Sequence, residues 1–236
     1  MTVERILVVT AHPDDVDFGA AGTVAAWTQA GIAVTYCIVT DGDNGGFDPA
    51  VPRSEIPGIR RAEQQAAARH VGVDDVRFPG YSDGSVAATL ELRRDIARVI
   101  RQVRPQRVLT HSPERNWAAI QASHPDHLAV GEATTCAVYP DARNPFQFPE
   151  LLSEEGLDEH TVGELWLIGS PRPNEFCDVT ATYEAKVAAV ESHVSQMTDP
   201  AGAAPPRMRE RLLDNAERGG LPSGHLAEAF QIVHIR

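Results

Sequence analysis

Two short clusters in this chain combine imidazoles with carboxylates. The first, Ala11-His12-Pro13-Asp14-Asp15, follows directly on the apolar run Ile6-Leu7-Val8-Val9. The second, Ser123-His124-Pro125-Asp126-His127, lies over a hundred residues later and carries the same groups. A catalytic zinc site commonly uses three protein ligands and keeps one position for water. His12, Asp15 and His127 meet that count. Asp14 is then a spare carboxylate, able to act as general base on the water that such a cation acidifies. His124 is expected on the far side of a reacting carbonyl. As an imidazolium it would stabilise an oxyanion and protonate a leaving amine. Asp126 is expected to hold the His124 ring and favour its charged form. Asp14 and Asp15 taken alone also fit a plainer role, capping the free N–H groups of a following helix. The joint occurrence of the two clusters is what favours a metal site.

For these residues to meet, the fold must bring two distant loops together. Residues 3–10 read as a buried strand, 17–30 as a helix closed by Gly31, and 33–40 as a second apolar strand. A Gly- and Pro-rich loop then runs over 41–57. Helices are expected at 59–71 and 90–103, with short strands at 76–78 and 107–110. His111 follows the last of these, and 124–138 should be mostly helical. Beyond it come a strand at 163–168, a helix at 182–194, a linker or lid at 199–206, a helix near 208–218 and a closing strand at 226–235. Strand and helix alternate through the first 140 residues. That pattern predicts an α/β, Rossmann-like three-layer sandwich with a mostly parallel sheet. Ligands of such sheets gather at the carboxyl ends of the strands, where both clusters fall. One domain over 1–236 is expected, with 140–236 completing the substrate pocket.

The bulk composition mainly excludes. The formal charge is −12, which disfavours nucleic acid or an anionic membrane as partner, since both call for basic patches. Cys37, Cys136 and Cys177 lack CxxC spacing and read as buried thiols of a reducing compartment. No apolar run reaches the ~20 residues needed to span a bilayer, and the N-terminus lacks the pattern of a secretory signal. A soluble, cytoplasmic protein is expected, with room for a homo-oligomer. The Gly-rich loop at 42–46 and Gly19-Ala20-Ala21-Gly22 both fall short of phosphate and dinucleotide fingerprints. No serine sits in a nucleophile elbow.

The two His-Pro-Asp clusters, in this order, resemble the LmbE-like or PIG-L zinc-dependent N-deacetylases. Lesser matches are Thr40-Asp41-Gly42, Arg60-Arg61-x-Glu63, Gly80-Tyr81-Ser82-Asp83-Gly84, His111-Ser112-Pro113, and Glu184-x-Lys186 leading to His193-x-Ser195-Gln196. The resemblance implies hydrolysis of an N-acetyl group, commonly on an N-acetylglucosamine moiety, to acetate and a free amine. It implies His12, Asp15 and His127 as metal ligands, Asp14 as base, and His124 as electrophilic partner supported by Asp126. The cofactor is expected to be Zn2+, with Fe2+ suited to the same ligands. Arg60, Asp43, Asn44, Tyr81 and His193 are candidate contacts to a small N-acetylated substrate. The family usually has an acidic residue directly after the second Asp; here Val16 stands there and Asp17 follows. An amidase for a larger conjugate and a non-catalytic metal-containing binding protein are the rival readings.

Overall fold

The computed structural model of the chain describes residues 2–197 and 204–236. In chain order the elements are β1 (Arg5–Thr10), α1 (Asp15–Gln29), β2 (Ala33–Ile38), α2 (Ile56–His70), β3 (Asp75–Arg77), α3 (Leu90–Val103), β4 (Arg107–His111) and α4 (Pro125–Cys136). They continue with α5 (Glu150–Ser153), β5 (Glu164–Ile168), β6 (Glu175–Asp178), α6 (Tyr183–Glu191), α7 (Ala204–Arg218) and β7 (Ala227–His234). The strands form one sheet in the order β3-β2-β1-β4-β5-β7-β6. β3 through β5 pair in parallel, whereas β7 runs antiparallel to both β5 and β6.

Strand β1 explains the layering. Ile6, Leu7, Val8 and Val9 are all fully enclosed, as expected of a strand covered on both faces. Successive side chains point to opposite faces. Leu7 and Val9 therefore join one core with Leu92, Ile96, Val130 and Ala133 of α3 and α4. Ile6 and Val8 join the other with Val16, Val24, Ala67 and Ala189 of α1, α2 and α6. The result is the three-layer sandwich that the alternation of elements predicts. A third, smaller core gathers Met208 and Leu212 of α7 against Val179, Val190 and Leu226.

Three departures from the sequence reading have plain causes. β6 was not expected, because Glu-Phe-Cys-Asp has no apolar alternation; it exists as an edge strand through its pairing with β7. α5 is a single turn, too short to leave a periodicity. The linker assigned to 199–206 lies outside the described residues up to 203, and Ala204 to Pro206 already belong to α7.

The chain leaves β1 towards β2 on one side and reaches β4 on the other, so β1 and β4 are neighbours at a switch point. Their register pairs Val9 with Thr110. Helix α4 lies so close to the end of β4 that a Cβ on Gly131 would come within 2.5 Å of the His111 carbonyl oxygen. Backbone cannot rotate away as a side chain can. Gly131→Ala is therefore expected to destabilise the protein by about 1–3 kcal/mol through overpacking, although helix propensity alone would favour alanine by about 1 kcal/mol. Calorimetry should show a lowered Tm; a raised Tm would mean that α4 can back away freely.

Candidate metal centre

The turn after β1 carries His12 and Asp14, and Asp15 opens α1. β4 delivers His111, and the start of α4 delivers His124, Asp126 and His127. The loop after β3 adds Asp83. Asp15 sits at the centre. One of its oxygens, Oδ1, is 2.9 Å from His127 Nε2. The other, Oδ2, is 3.3 Å from His12 Nδ1 and 3.2 Å from His111 Nε2, and it accepts the His12 backbone N–H. Three overlapping groups of potential ligands result: His12 with His124 and His127, Asp15 with His111 and His127, and His12 with Asp83 and Asp126.

Hydrogen bonds narrow these choices. His111 Nε2 accepts the Ala11 N–H, so its lone pair is taken by the end of β1. Burial pushes the ring down to about 4, with Asp15 opposing, and it is neutral, stacked flat on His127 at 4.1 Å. His12 Nε2 lies 3.0 Å from Asp83 and 3.2 Å from Asp126. Those carboxylates can only accept, which puts a hydrogen on Nε2, while Nδ1 faces Asp15; against the pull of burial, Asp15 and Asp83 lift the ring to about 11. His124 Nδ1 accepts the Asp126 N–H and caps α4. His12 Nδ1 and His127 Nε2 thus each face an oxygen of the Asp15 carboxylate, donor types that suit a divalent cation.

Asp14 stands beside this group. Its backbone is left-handed, φ 91°, and its carboxylate makes no cap bond to α1, so capping is not its role. Arg60 instead donates to Oδ2 at 3.0 Å and to the Pro13 carbonyl at 2.6 Å. Enclosure and the neighbouring Asp15 lift the Asp14 carboxyl to about 7, against the pull of Arg60.

Comparison with known proteins fits this geometry. The family model described as "PIG-L: GlcNAc-PI de-N-acetylase" matches residues 7–138, which hold both clusters. The chain belongs to the PIG-L family. It is 33% identical to a diacetylchitobiose deacetylase of Thermococcus kodakarensis, over 84% of this chain and 72% of that one. It is 30% identical to a probable N-acetyl-alpha-D-glucosaminyl L-malate deacetylase of Bacillus anthracis, over 81% of each. Among solved structures, the N,N'-diacetylchitobiose deacetylase of Pyrococcus horikoshii, complexed with its inhibitor, superposes with a TM-score of 0.90 at 27% identity. That match covers 98% of this chain and 84% of the other.

Within this PIG-L fold His12, Asp14, Asp15, His124, Asp126 and His127 all gather at one end of the sheet. Other expectations need correction. The Asp126 carboxylate does not hold the His124 ring; it accepts from the Gly84 and Val86 N–H groups and faces His12. His124 is not favoured as an imidazolium, because partial desolvation at the edge of the site and the nearby His12 and His127 lower its pKa. Arg60 is buried and directs its two terminal nitrogens at Gly42, Pro13 and Asp14. His193 is fully enclosed, with Nε2 2.8 Å from Asp17. The Tyr81 hydroxyl is given to Asp95. Asp43 and Asn44 grip the Asp83 segment and line a cavity of about 750 Å3 with Phe47, Ile59 and Val194.

Asp83 and Gln64 are the residues that motif reading passed over. Asp83 lies inside the quoted Gly-Tyr-Ser-Asp-Gly segment, but nothing local ties it to His12. Gln64 has no signal at all, being one more helix former in α2. The crowding of three imidazoles around Asp15 predicts that one equivalent of Zn2+ stabilises chelator-treated protein. A ligand at a thousand times its Kd adds about 4 kcal/mol. Calorimetry should show a raised Tm that saturates at one ion per chain; an unmoved Tm would count against a cation site.

Proposed function

We propose that this protein is a metal-dependent N-deacetylase acting on a small N-acetylated amino sugar of the N-acetylglucosamine type, and that it releases acetate and the free amine. The observation that carries this reading is the Asp14 carboxylate, which no helix cap consumes, placed beside the His12, Asp15 and His127 donor set. Deacetylase relatives that cover most of the chain support it. His12 through Nδ1, Asp15 and His127 through Nε2 would hold the cation, with zinc the first choice and iron(II) compatible. A cation held there would supply Lewis acidity, bringing the pKa of water to about 7.

The chain's own groups supply the rest. Asp14, steadied by Arg60, accepts a proton from the attacking water and returns it to the departing amine. His124 is exposed at the mouth of the site. Because Nδ1 is bound to the first turn of α4, its proton sits on Nε2. A helix N-terminus keeps such an imidazole neutral, so it acts as a hydrogen-bond donor to the carbonyl oxygen as charge develops there. Asp83 and Asp126 fix the His12 ring and with it the nitrogen offered to the cation.

Three measurements check this. Acetate release should be seen when protein of known metal content meets a panel of N-acetylated sugars, N,N'-diacetylchitobiose among them. Release of larger acids alone would favour an amidase. Asp14→Asn should retain the metal while kcat falls by ~10²–10⁴-fold; undiminished turnover would remove Asp14 as base. Asp126→Asn should weaken zinc affinity by about 10–100-fold in chelator competition. If zinc affinity holds and only turnover falls, Asp126 serves His124 after all.

A further inference from the structure

Asp14 holds a backbone conformation that residues with a Cβ rarely adopt. Something must keep it there. Its N–H donates to Gln64 Oε1 at 2.8 Å. The other end of that amide, Gln64 Nε2, donates to Asp17 Oδ2 at 2.8 Å. The same Asp17 oxygen faces His193 Nε2 at 2.8 Å. Gln64, Asp17 and His193 have no solvent exposure. The line therefore runs from α6's end through α1 and α2 to the turn that bears Asp14, sealed from water throughout.

We propose that Gln64 is a positioning residue for Asp14, locked in orientation by Asp17 and His193 behind it. The proposal rests on Asp14 being the base. A glutamine amide has two ends of nearly the same shape and opposite polarity. Turned the other way, Gln64 would set its NH2 group against the Asp14 N–H, donor against donor. Asp17 Oδ2 meets the Gln64 Nε2 donor and His193 Nε2 at the same point, and that contact admits one orientation of the amide. His193 in turn gives that buried oxygen a second polar partner. Arg60 fixes the Asp14 carboxylate from α2, one helical turn before Gln64, so one helix sets both the side chain and the backbone of the base. Val16 packs into the core, while the acid one place later meets Gln64 and His193.

Gln64→Glu keeps the shape, removes the donor and sets a carboxylate against Asp17. Gln64→Met keeps the length without the charge and guards against a variant that fails to fold. In both, kcat should fall by about 10- to 100-fold, the range expected when a reacting group is misplaced by about an ångström. Zinc stoichiometry and KM should stay within about twofold. In the Asp14→Asn background the same changes should cost no further rate, because residues acting as one unit are not additive. An equal loss in both backgrounds, or no loss in either, overturns the proposal. A crystal structure of metal-loaded Gln64→Met, which lacks the acceptor for the Asp14 N–H, gives a readout free of turnover: Asp14 should leave its left-handed conformation with the metal still held. An unmoved Asp14 overturns the proposal as well. If the native protein releases acetate from no substrate, the deacetylase reading fails, and that crystal structure still decides the role of Gln64.

Discussion

The parallel pairing of β1 with β4 is the constraint from which the site follows. It sets the turn at residues 11–14 beside His111, and the close seat of α4 on β4 then carries His124 and His127 to the same place. The contact is made directly by a hydrogen bond from the Ala11 N–H to the His111 ring. No local property of either cluster could bring them together. A buried strand with apolar side chains on both faces has no choice but to lie in the middle of the sheet, and the middle of this sheet is the switch point.

Charge is concentrated there to an extent that a protein interior tolerates only with partners. Asp15 is matched by the imidazoles around it, which hold its carboxyl well below the usual carboxylate range despite burial. Asp14 has Arg60, Asp126 has two backbone N–H groups, and Asp17 has Gln64 and His193. A further buried pair lies against α1. Lys186 and Glu228, both fully enclosed, meet at 2.6 Å; the lysine also donates to the Asp17 and Phe18 carbonyls, while the glutamate accepts from the Gly22 and Thr23 N–H groups. Helix α1 is thus gripped along its backbone, and its first residue, Asp15, is held in place with it.

The same supports explain why several side chains with catalytic chemistry do not face a ligand. Arg60 and His193 look like substrate contacts in a motif, since both are cationic groups near the right segments. Their burial assigns them to the scaffolding of Asp14. Conversely, Asp83 looks like one turn residue among many and ends against His12. A side chain's chemistry says what it can do, and its neighbours decide whether it is offered to solvent or to the protein.

What the sequence determined by itself was the order and type of the long elements and the identity of the reactive groups. Buried strands announce themselves by Val and Ile runs, and α3 by its apolar stripe between Thr89, whose hydroxyl caps it, and Arg104. The His-Pro-Asp clusters announce themselves because their residue types serve few other purposes at such spacing. Only the tertiary structure decided the partners: that Asp126 serves His12 rather than His124, that His111 is bound to the end of β1, and that Gln64 reaches the base. Hydrogen bonds across 50 to 114 residues depend on how helices pack on the sheet, and that packing leaves no periodicity or spacing in the chain to read.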